Sequence, residues 1–171
     1  MLTKNLPEGL HFFPTAQVDK VVTLWRQFSQ TSGIFDDIAQ NDITSFLQML
    51  HLPNAVWLEL DDESGVIYAT SIVEGLSAYI HAAVFNHRLR ERHKLFVEFL
   101  AWLVTTCSLV KINAALPSFA HAAQRHLKKI GFQQEGVLRR FSRSRGGLYN
   151  LNIYGILSEE VLTHPLLRKE I

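Results

Sequence analysis

The chain has 171 residues, of which 47% are hydrophobic and 19% are charged. This composition excludes a disordered or fibrous chain, and the length suits one domain with its own core, so we expect residues 1–171 to form a single domain. Lys plus Arg total 17 and Asp plus Glu total 16, a net charge of +1, which gives no reason to expect nucleic acid or an anionic membrane as the main partner.

A single cysteine, Cys107, excludes an internal disulfide and a cysteine-rich metal site. The N-terminal residues lack a long apolar core followed by small residues, so no secretory signal is apparent. The most apolar run, Leu95–Cys107, is interrupted by Glu98 and is shorter than the roughly 18 residues that a membrane-spanning helix needs. We therefore expect a cytoplasmic protein in a reducing compartment.

Hydrophobic periodicity and turn residues predict the elements of the first half of the chain. A helix capped by Thr15 has its apolar residues on one face, and a second helix starts after Asp42. In order, the predicted elements are a strand at Leu10–Phe13, these two helices, and strands at Ala55–Leu60, Val66–Val73 and Ala78–Phe85.

The second half begins with Leu95–Cys107, which is apolar on nearly every side, so the predicted helix must be buried, most simply against a sheet. The remaining predicted elements are a strand at Val110–Leu116, a helix capped by Ser118 and ended by Gly131, and a hairpin of strands at Phe132–Phe141 and Leu148–Leu157, with Tyr149, Leu151 and Ile153 facing inward.

This order predicts an α/β (α+β) fold, with a mixed, largely antiparallel sheet of six to seven strands flanked by about four helices. One strand–helix–strand unit at its centre forms a crossover between parallel strands. We expect the strand ending at Phe85 and the strand starting at Val110 to splay apart and form the main cleft. Phe99 and Trp102, on the apolar helix, are expected to lie in the core.

The element order and the string HLKKIGFQQEGVLRR resemble the GNAT superfamily of N-acetyltransferases. The likeness is nearest to the branch that acetylates protein N-termini and to small phage-encoded members. Leu127–Arg139 looks like that branch's helix, Gly-Phe, Glu-Gly and Leu-Arg signature, and Tyr149–Leu157 is similar to its closing strand. The resemblance implies acetyl-CoA as the cofactor and direct transfer of its acetyl group to a small-molecule or peptide amine.

In the family, a glycine-rich loop between the fourth strand and its helix holds the coenzyme pyrophosphate with backbone N–H groups. Here Arg88 takes the place of the leading arginine, while Glu91 and His93 stand where glycines are expected. Side chains then replace part of the backbone cradle, and the alternative is a solvated turn before a buried helix. The residues expected to bind the coenzyme are Ala83, Val84, Phe85, Arg88, Arg90, Arg92, His93, Lys94 and, on the opposite lip of the cleft, Asn113.

Acetyl transfer to an amine needs a neutral amine, an oxyanion stabiliser and a proton source for the departing thiolate. The face of the fourth strand that includes Tyr79 and His81 carries no carboxylate, and the tyrosine that often protonates the thiolate in the family is replaced by Leu127. We expect His81 to act as general base and Tyr79 as proton donor, with Glu74 as the only nearby acid. Core packing is the alternative role for each strand residue.

No metal site is expected, because His121 and His126 are five residues apart and lack the four-residue helical spacing of a ligand pair. The alternative function is a GNAT-fold binding or structural module that has lost coenzyme binding, and self-association remains open. Four arginines of the last hairpin either contact an acidic substrate or the adenosine 3′-phosphate, or form a solvated tip. They are Arg139, Arg140, Arg143 and Arg145.

Overall fold

A computed structural model describes residues 5–30, 42–85, 92–144 and 146–168. Within these ranges the chain forms seven strands, five α-helices and one 3₁₀ turn. In chain order they are β1 (Leu10–Phe12), α1 (Val18–Gln30), α2 (Ile43–Leu50), β2 (Val56–Leu60), β3 (Gly65–Val73), β4 (Ser77–Val84), α3 (His93–Cys107), β5 (Lys111–Pro117), α4 (His121–Lys129), β6 (Gln133–Ser144), β7 (Gly147–Leu157), α5 (Ser158–Leu162) and the 3₁₀ turn (Pro165–Leu167). None of the described helices is long and apolar enough to cross a lipid bilayer.

The strands form one seven-stranded sheet in the order β1-β2-β3-β4-β5-β7-β6. Strands β4 and β5 run parallel and are connected through α3, whereas the other neighbouring pairs are antiparallel. The predicted fold class is therefore confirmed, including the parallel crossover at its centre.

Helices α1 and α2 cover one face of the sheet. Apolar residues at helical spacing bury one side of α1, where they pack over Trp57 and Tyr68 of β2 and β3. Helix α2 follows Asp42, as predicted, and Asp42 caps it, because its carboxylate accepts hydrogen bonds from the backbone N–H groups of Thr44 and Ser45 at 3.0 and 3.2 Å.

Helix α3 covers the opposite face, where alternate strand residues such as Leu58 and Ile67 point. Phe99 and Trp102 are 0% and 7% exposed, which confirms the prediction that both lie in the core. A helix that is apolar all round has to be buried in this way, because water would otherwise meet apolar surface on every side.

Strands β4 and β5 pair only at their beginnings and then diverge. The paired residues are Ser77–Lys111, Ala78–Ile112 and Tyr79–Asn113. Beyond this point β4 continues to Val84 and β5 to Pro117 without further pairing to each other. The predicted splay is confirmed, and it leaves a V-shaped opening at the carboxyl ends of the two strands.

The beginning of α4 differs from the prediction. Ala120 occupies the N-cap position, and no side chain caps the helix there. The carbonyl groups of Pro117 and Ser118 instead accept hydrogen bonds from the Gln124 side-chain amide at 3.0 and 3.1 Å. Ser118 is therefore part of the loop before the helix. Gly131, with φ +97°, follows the end of α4 as predicted.

The inward face of β7 is the opposite of the predicted one. Tyr154 and Ile156 are 0% and 1% exposed against α3, whereas the predicted set is only half-buried. That set is Tyr149, Leu151 and Ile153. The prediction failed because apolar residues alternate on both faces of β7, and the described helix that covers this strand lies on the Tyr154 side.

Candidate active-site cleft

The base of the cleft lies where β4 and β5 part. Tyr79 is 37% exposed and stands opposite Asn113, whose side-chain amide donates a long hydrogen bond, 3.5 Å, to the Ala78 carbonyl. His81 follows two residues later on the same face of β4. The structure thus brings three of the predicted site residues together at one point of the sheet.

His81 is held by its neighbours on β3. Its Nε2 is 3.0 Å from the Thr70 hydroxyl oxygen. Its ring stacks on Tyr68 with centroids 4.6 Å apart, and Tyr68 stacks in turn on Trp57 at 3.8 Å. The three rings lie across β2, β3 and β4, so packing fixes the orientation of the imidazole.

Burial lowers the pKa of His81 to about 4. The imidazole is therefore neutral at pH 7 and can accept a proton or a hydrogen bond from an amine. Burial also raises the pKa of the Tyr68 phenol, which stays protonated beneath it. The histidine thus lies in an apolar, uncharged setting.

Glu74 lies away from this group. It is exposed in the turn between β3 and β4, at the end of β4 opposite to the open cleft. The next residue, Gly75, donates its N–H to the Cys107 carbonyl at 3.0 Å, so this turn is tied to the end of α3. Burial raises the pKa of the Cys107 thiol, and the negative charge of the Glu74 carboxylate raises it further. The structure does not bring Glu74 together with His81 and Tyr79.

Three predicted coenzyme residues follow each other at the end of β4. Ala83 is buried in the layer beneath α1, and Val84 packs toward the α3 side. The Phe85 ring contacts Phe28 of α1 at 5.7 Å, and its N–H donates to the Ser64 carbonyl at 2.8 Å. Phe85 is thus engaged with the core and with the β2–β3 loop. Ala82, the residue before Ala83, is exposed.

The beginning of α3 borders the same opening. Arg92 forms an ion pair with Asp62 of the β2–β3 loop. Ser64 and Arg92 together lower the pKa of Asp62 to about 2. Lys94 is exposed and lies 3.9 Å from Glu98, one turn later. The first turn of α3 has no side-chain cap. Arg88 and Arg90 lie outside the described residues.

His93, the first residue of α3, packs against His126, which is not among the predicted site residues. The rings of His93 and His126 meet edge to face with centroids 4.7 Å apart. His93 Nδ1 and His126 Nε2 are buried and have no hydrogen-bond partner among the described residues. Burial lowers the pKa of both and brings that of His126 to about 4. The sequence carries no signal for this pair, because α3 and α4 meet only in the fold.

No metal-binding group of three or more His, Cys, Asp or Glu side chains occurs in the part of the chain that the structure describes.

No model of a known protein family matches the chain, and no curated protein matches it.

Solved structures of N-acetyltransferases share the fold. Spermidine N-acetyltransferase from Vibrio cholerae, solved with CoA and spermine, superposes with a TM-score of 0.71 at 15% identity, over 90% of this chain and 96% of that one. RimJ from Mycobacterium smegmatis, solved with CoA-disulfide, gives 0.67 at 18% identity over 88% and 82% of the two chains. A probable acetyltransferase gives 0.70 at 16% identity over 91% and 97%. The chain therefore has the fold of the GNAT acetyltransferases, as its sequence resemblance predicted.

Proposed function

We propose that the protein is an acetyl-CoA-dependent N-acetyltransferase that transfers the acetyl group directly to an amine within a ternary complex. The observation that carries the proposal is the opening between β4 and β5, with His81 and Tyr79 at its base. In a mixed sheet of this kind, ligands bind at the carboxyl ends of the parallel strands. The fold shared with acetyltransferases adds support by analogy.

The beginning of α3 fits a coenzyme that carries phosphate. Its first turn lacks a side-chain cap, and the N-terminus of a 15-residue helix attracts negative charge. His93 and His126 present buried ring nitrogens that still need partners, and Lys94 supplies an exposed ammonium group. These side chains, with Arg88 and Arg90, replace the missing glycine cradle in this proposal. Arg92 contributes less, because Asp62 already binds it.

Acetyl-CoA, when bound, supplies an acetyl thioester whose sulfur leaves as the new amide forms. His81 accepts the proton that the acceptor nitrogen loses, because its imidazole is neutral at pH 7. Tyr79, exposed at the base of the cleft, donates its hydroxyl proton to the departing sulfur. Thr70 and Tyr68 position the His81 ring.

The alternative is a module that no longer binds the coenzyme. Two contacts favour it, the Arg92–Asp62 ion pair and the hydrogen bond from the Phe85 N–H to the Ser64 carbonyl. They engage the Arg92 guanidinium and the Phe85 N–H, which lie near the expected phosphate and pantetheine positions. These contacts leave the α3 first turn and the exposed Ala82 accessible, so the enzyme is the better-supported function.

Acetylation assays with single substitutions test the proposal. The wild-type protein should transfer acetyl from acetyl-CoA to members of a panel of amines and free peptide N-termini. His81→Gln and Tyr79→Phe should each lower kcat by about 10² or more, with little change in acetyl-CoA affinity. His121→Gln, an exposed substitution on α4, is the matched control and should leave kcat unchanged. Normal rates in both cleft variants would overturn the assigned roles, and absence of transfer to every amine would favour the module.

A further inference from the structure

The β6–β7 hairpin extends past the end of β5 at the open end of the cleft. Strand β7 pairs with β5 from Leu157 to Leu151, which lies opposite Pro117 at the end of β5. The Ser118 N–H donates to the Asn150 carbonyl at 2.8 Å, and the rest of the hairpin continues beyond that point. Because β4 and β5 also diverge toward this end, the hairpin lies beside the mouth of the cleft.

A bulge interrupts the hairpin where it leaves β5 behind. Between the pairs Leu138–Leu151 and Ser142–Tyr149, three residues of β6 stand opposite the single residue Asn150 of β7. The middle one, Arg140, has φ +52°, a left-handed conformation that residues with side chains rarely adopt. Its N–H donates to the Asn150 side-chain oxygen at 3.0 Å, which stabilises this conformation. Bulges of this kind redirect side chains and occur next to active sites.

The bulge concentrates unpaired positive charge and an aromatic ring. Arg139, Arg140 and Arg143 are exposed, and Phe141 between them is 66% exposed. Residues 137–144 and 146–152 contain no Asp or Glu, and these arginines have no ion pair with any described residue. Lys111 of β5, by contrast, forms an ion pair with Glu135 at 2.5 Å. The surface is therefore complementary to an anionic ligand with apolar parts.

We infer that the bulge of the β6–β7 hairpin binds carboxylate groups of the acceptor, so that the acceptor is a peptide with acidic residues near its free N-terminus. The inference rests on the proposed function. The proposed acceptor is negatively charged near its N-terminus. A polyamine such as spermidine is a polycation and would be repelled by Arg139, Arg140 and Arg143.

The geometry also sets the position of the acidic residues. Gly155 of β7 pairs with Asn113 at the base of the cleft, and Asn150 at the bulge lies five residues before Gly155 along β7. Five residues of a strand span about 17 Å. An extended peptide covers this distance in about five residues. With its N-terminal amine at the base of the cleft, the peptide places side chains three to five positions later, at residues four to six, against the arginines.

The test compares peptides that differ only in charge and position. Eight-residue peptides with a free N-terminus carry two Asp at positions four and five, two Asn there, two Lys there, or two Asp at positions seven and eight. For the wild-type protein, kcat/KM should be about tenfold or more higher for Asp at positions four and five than for the Asn peptide. The Lys peptide should be slower than the Asn peptide, and the preference should shrink as salt rises from about 0.05 to 0.5 M.

The variant for this test is Arg139→Gln combined with Arg143→Gln, and Arg168→Gln, an exposed arginine beyond the 3₁₀ turn, is the control. The double variant should abolish the preference for acidic peptides while leaving kcat/KM for the Asn peptide and KM for acetyl-CoA unchanged. The control should keep the preference. Equal rates for the Asp and Asn peptides, or a preference that ignores position, would overturn the inference.

Binding measured without catalysis separates this inference from the proposed function. An N-terminally acetylated acidic peptide, titrated against the protein without coenzyme, should bind about tenfold more weakly to the double variant. If no amine is acetylated, the proposed function fails and this titration still decides the peptide site. A KM for acetyl-CoA that rises in the double variant, while that for dephospho-CoA does not, would assign the arginines to the 3′-phosphate instead. Equal affinity for a single-stranded oligonucleotide would show general polyanion binding, and either result overturns the inference.

Discussion

The burial of His81 makes the stability of the protein depend on pH in a direction that can be measured. The usual pKa of a histidine is 6.5, and burial lowers that of His81 to about 4 in the folded protein. The unfolded chain therefore binds a proton at this residue more readily than the folded protein between these values. The stability that neutral His81 contributes is fully present above pH 6.5 and is lost as the pH falls toward 4.

The size of the effect follows from the two pKa values. Between pH 7.5 and pH 5, linkage at this one residue should lower the free energy of unfolding by about 2 kcal/mol. Urea unfolding of the wild-type protein and of His81→Asn at the two pH values measures it. The variant should lose about 2 kcal/mol less than the wild type over this interval, whereas an exposed control, His121→Asn, should lose as much as the wild type. An equal loss in wild type and His81→Asn would refute the assignment of a buried, neutral imidazole.

Three further substitutions test close packing, core burial and helix capping in the fold. Gly65→Ala would place its Cβ 2.4 Å from the Ala83 carbonyl oxygen, a backbone atom that cannot move aside easily. Thermal unfolding should therefore show that the free energy of unfolding falls by about 1–3 kcal/mol or more. Gly136→Ala, whose Cβ would have nothing within 4 Å, should be nearly neutral. Trp102→Ala should cost roughly 3–5 kcal/mol in urea unfolding, and an unchanged midpoint would remove Trp102 from the core. Asp42→Ala should lower the midpoint of thermal unfolding through the lost cap of α2, and Asp42→Asn or Asp42→Ser should recover most of the loss.

Much of the fold could be predicted because its periodicities are local. The apolar run in α3 required burial, and the alternating strands on either side of it required a sheet to bury it against. The divergence of β4 and β5 could also be predicted, because Pro117 and the charged segment after Phe85 disfavour continued pairing at those ends. The inward face of β7 could not, because both of its faces are apolar in sequence and the choice depends on which helix packs there.

The candidate site was only partly predictable. Tyr79 and His81 share one face of β4 by strand alternation, which the sequence shows directly. The stack of Trp57, Tyr68 and His81 depends on the register of three strands, and that register is set by tertiary packing.

Two contacts beside α3 were equally hidden from sequence analysis. The approach of His126 to His93 needs α4 to pack beside the first turn of α3. The ion pair between Arg92 and Asp62 joins residues 30 positions apart in the chain. Neither contact leaves a local pattern of residues, so both emerge only when the helices and the β2–β3 loop are placed in three dimensions.

A calorimetric titration with acetyl-CoA measures directly whether a coenzyme site lies between β4 and β5. Ala82→Trp fills the opening from its exposed position on β4, and Ala16→Trp adds the same side chain on the exposed loop before α1 as a control. We predict saturable binding of one acetyl-CoA to the wild type and to Ala16→Trp, weakened at least about tenfold in Ala82→Trp, a loss of about 1.4 kcal/mol. Absence of binding to the wild type, or undiminished binding to Ala82→Trp, would contradict a coenzyme site in this cleft.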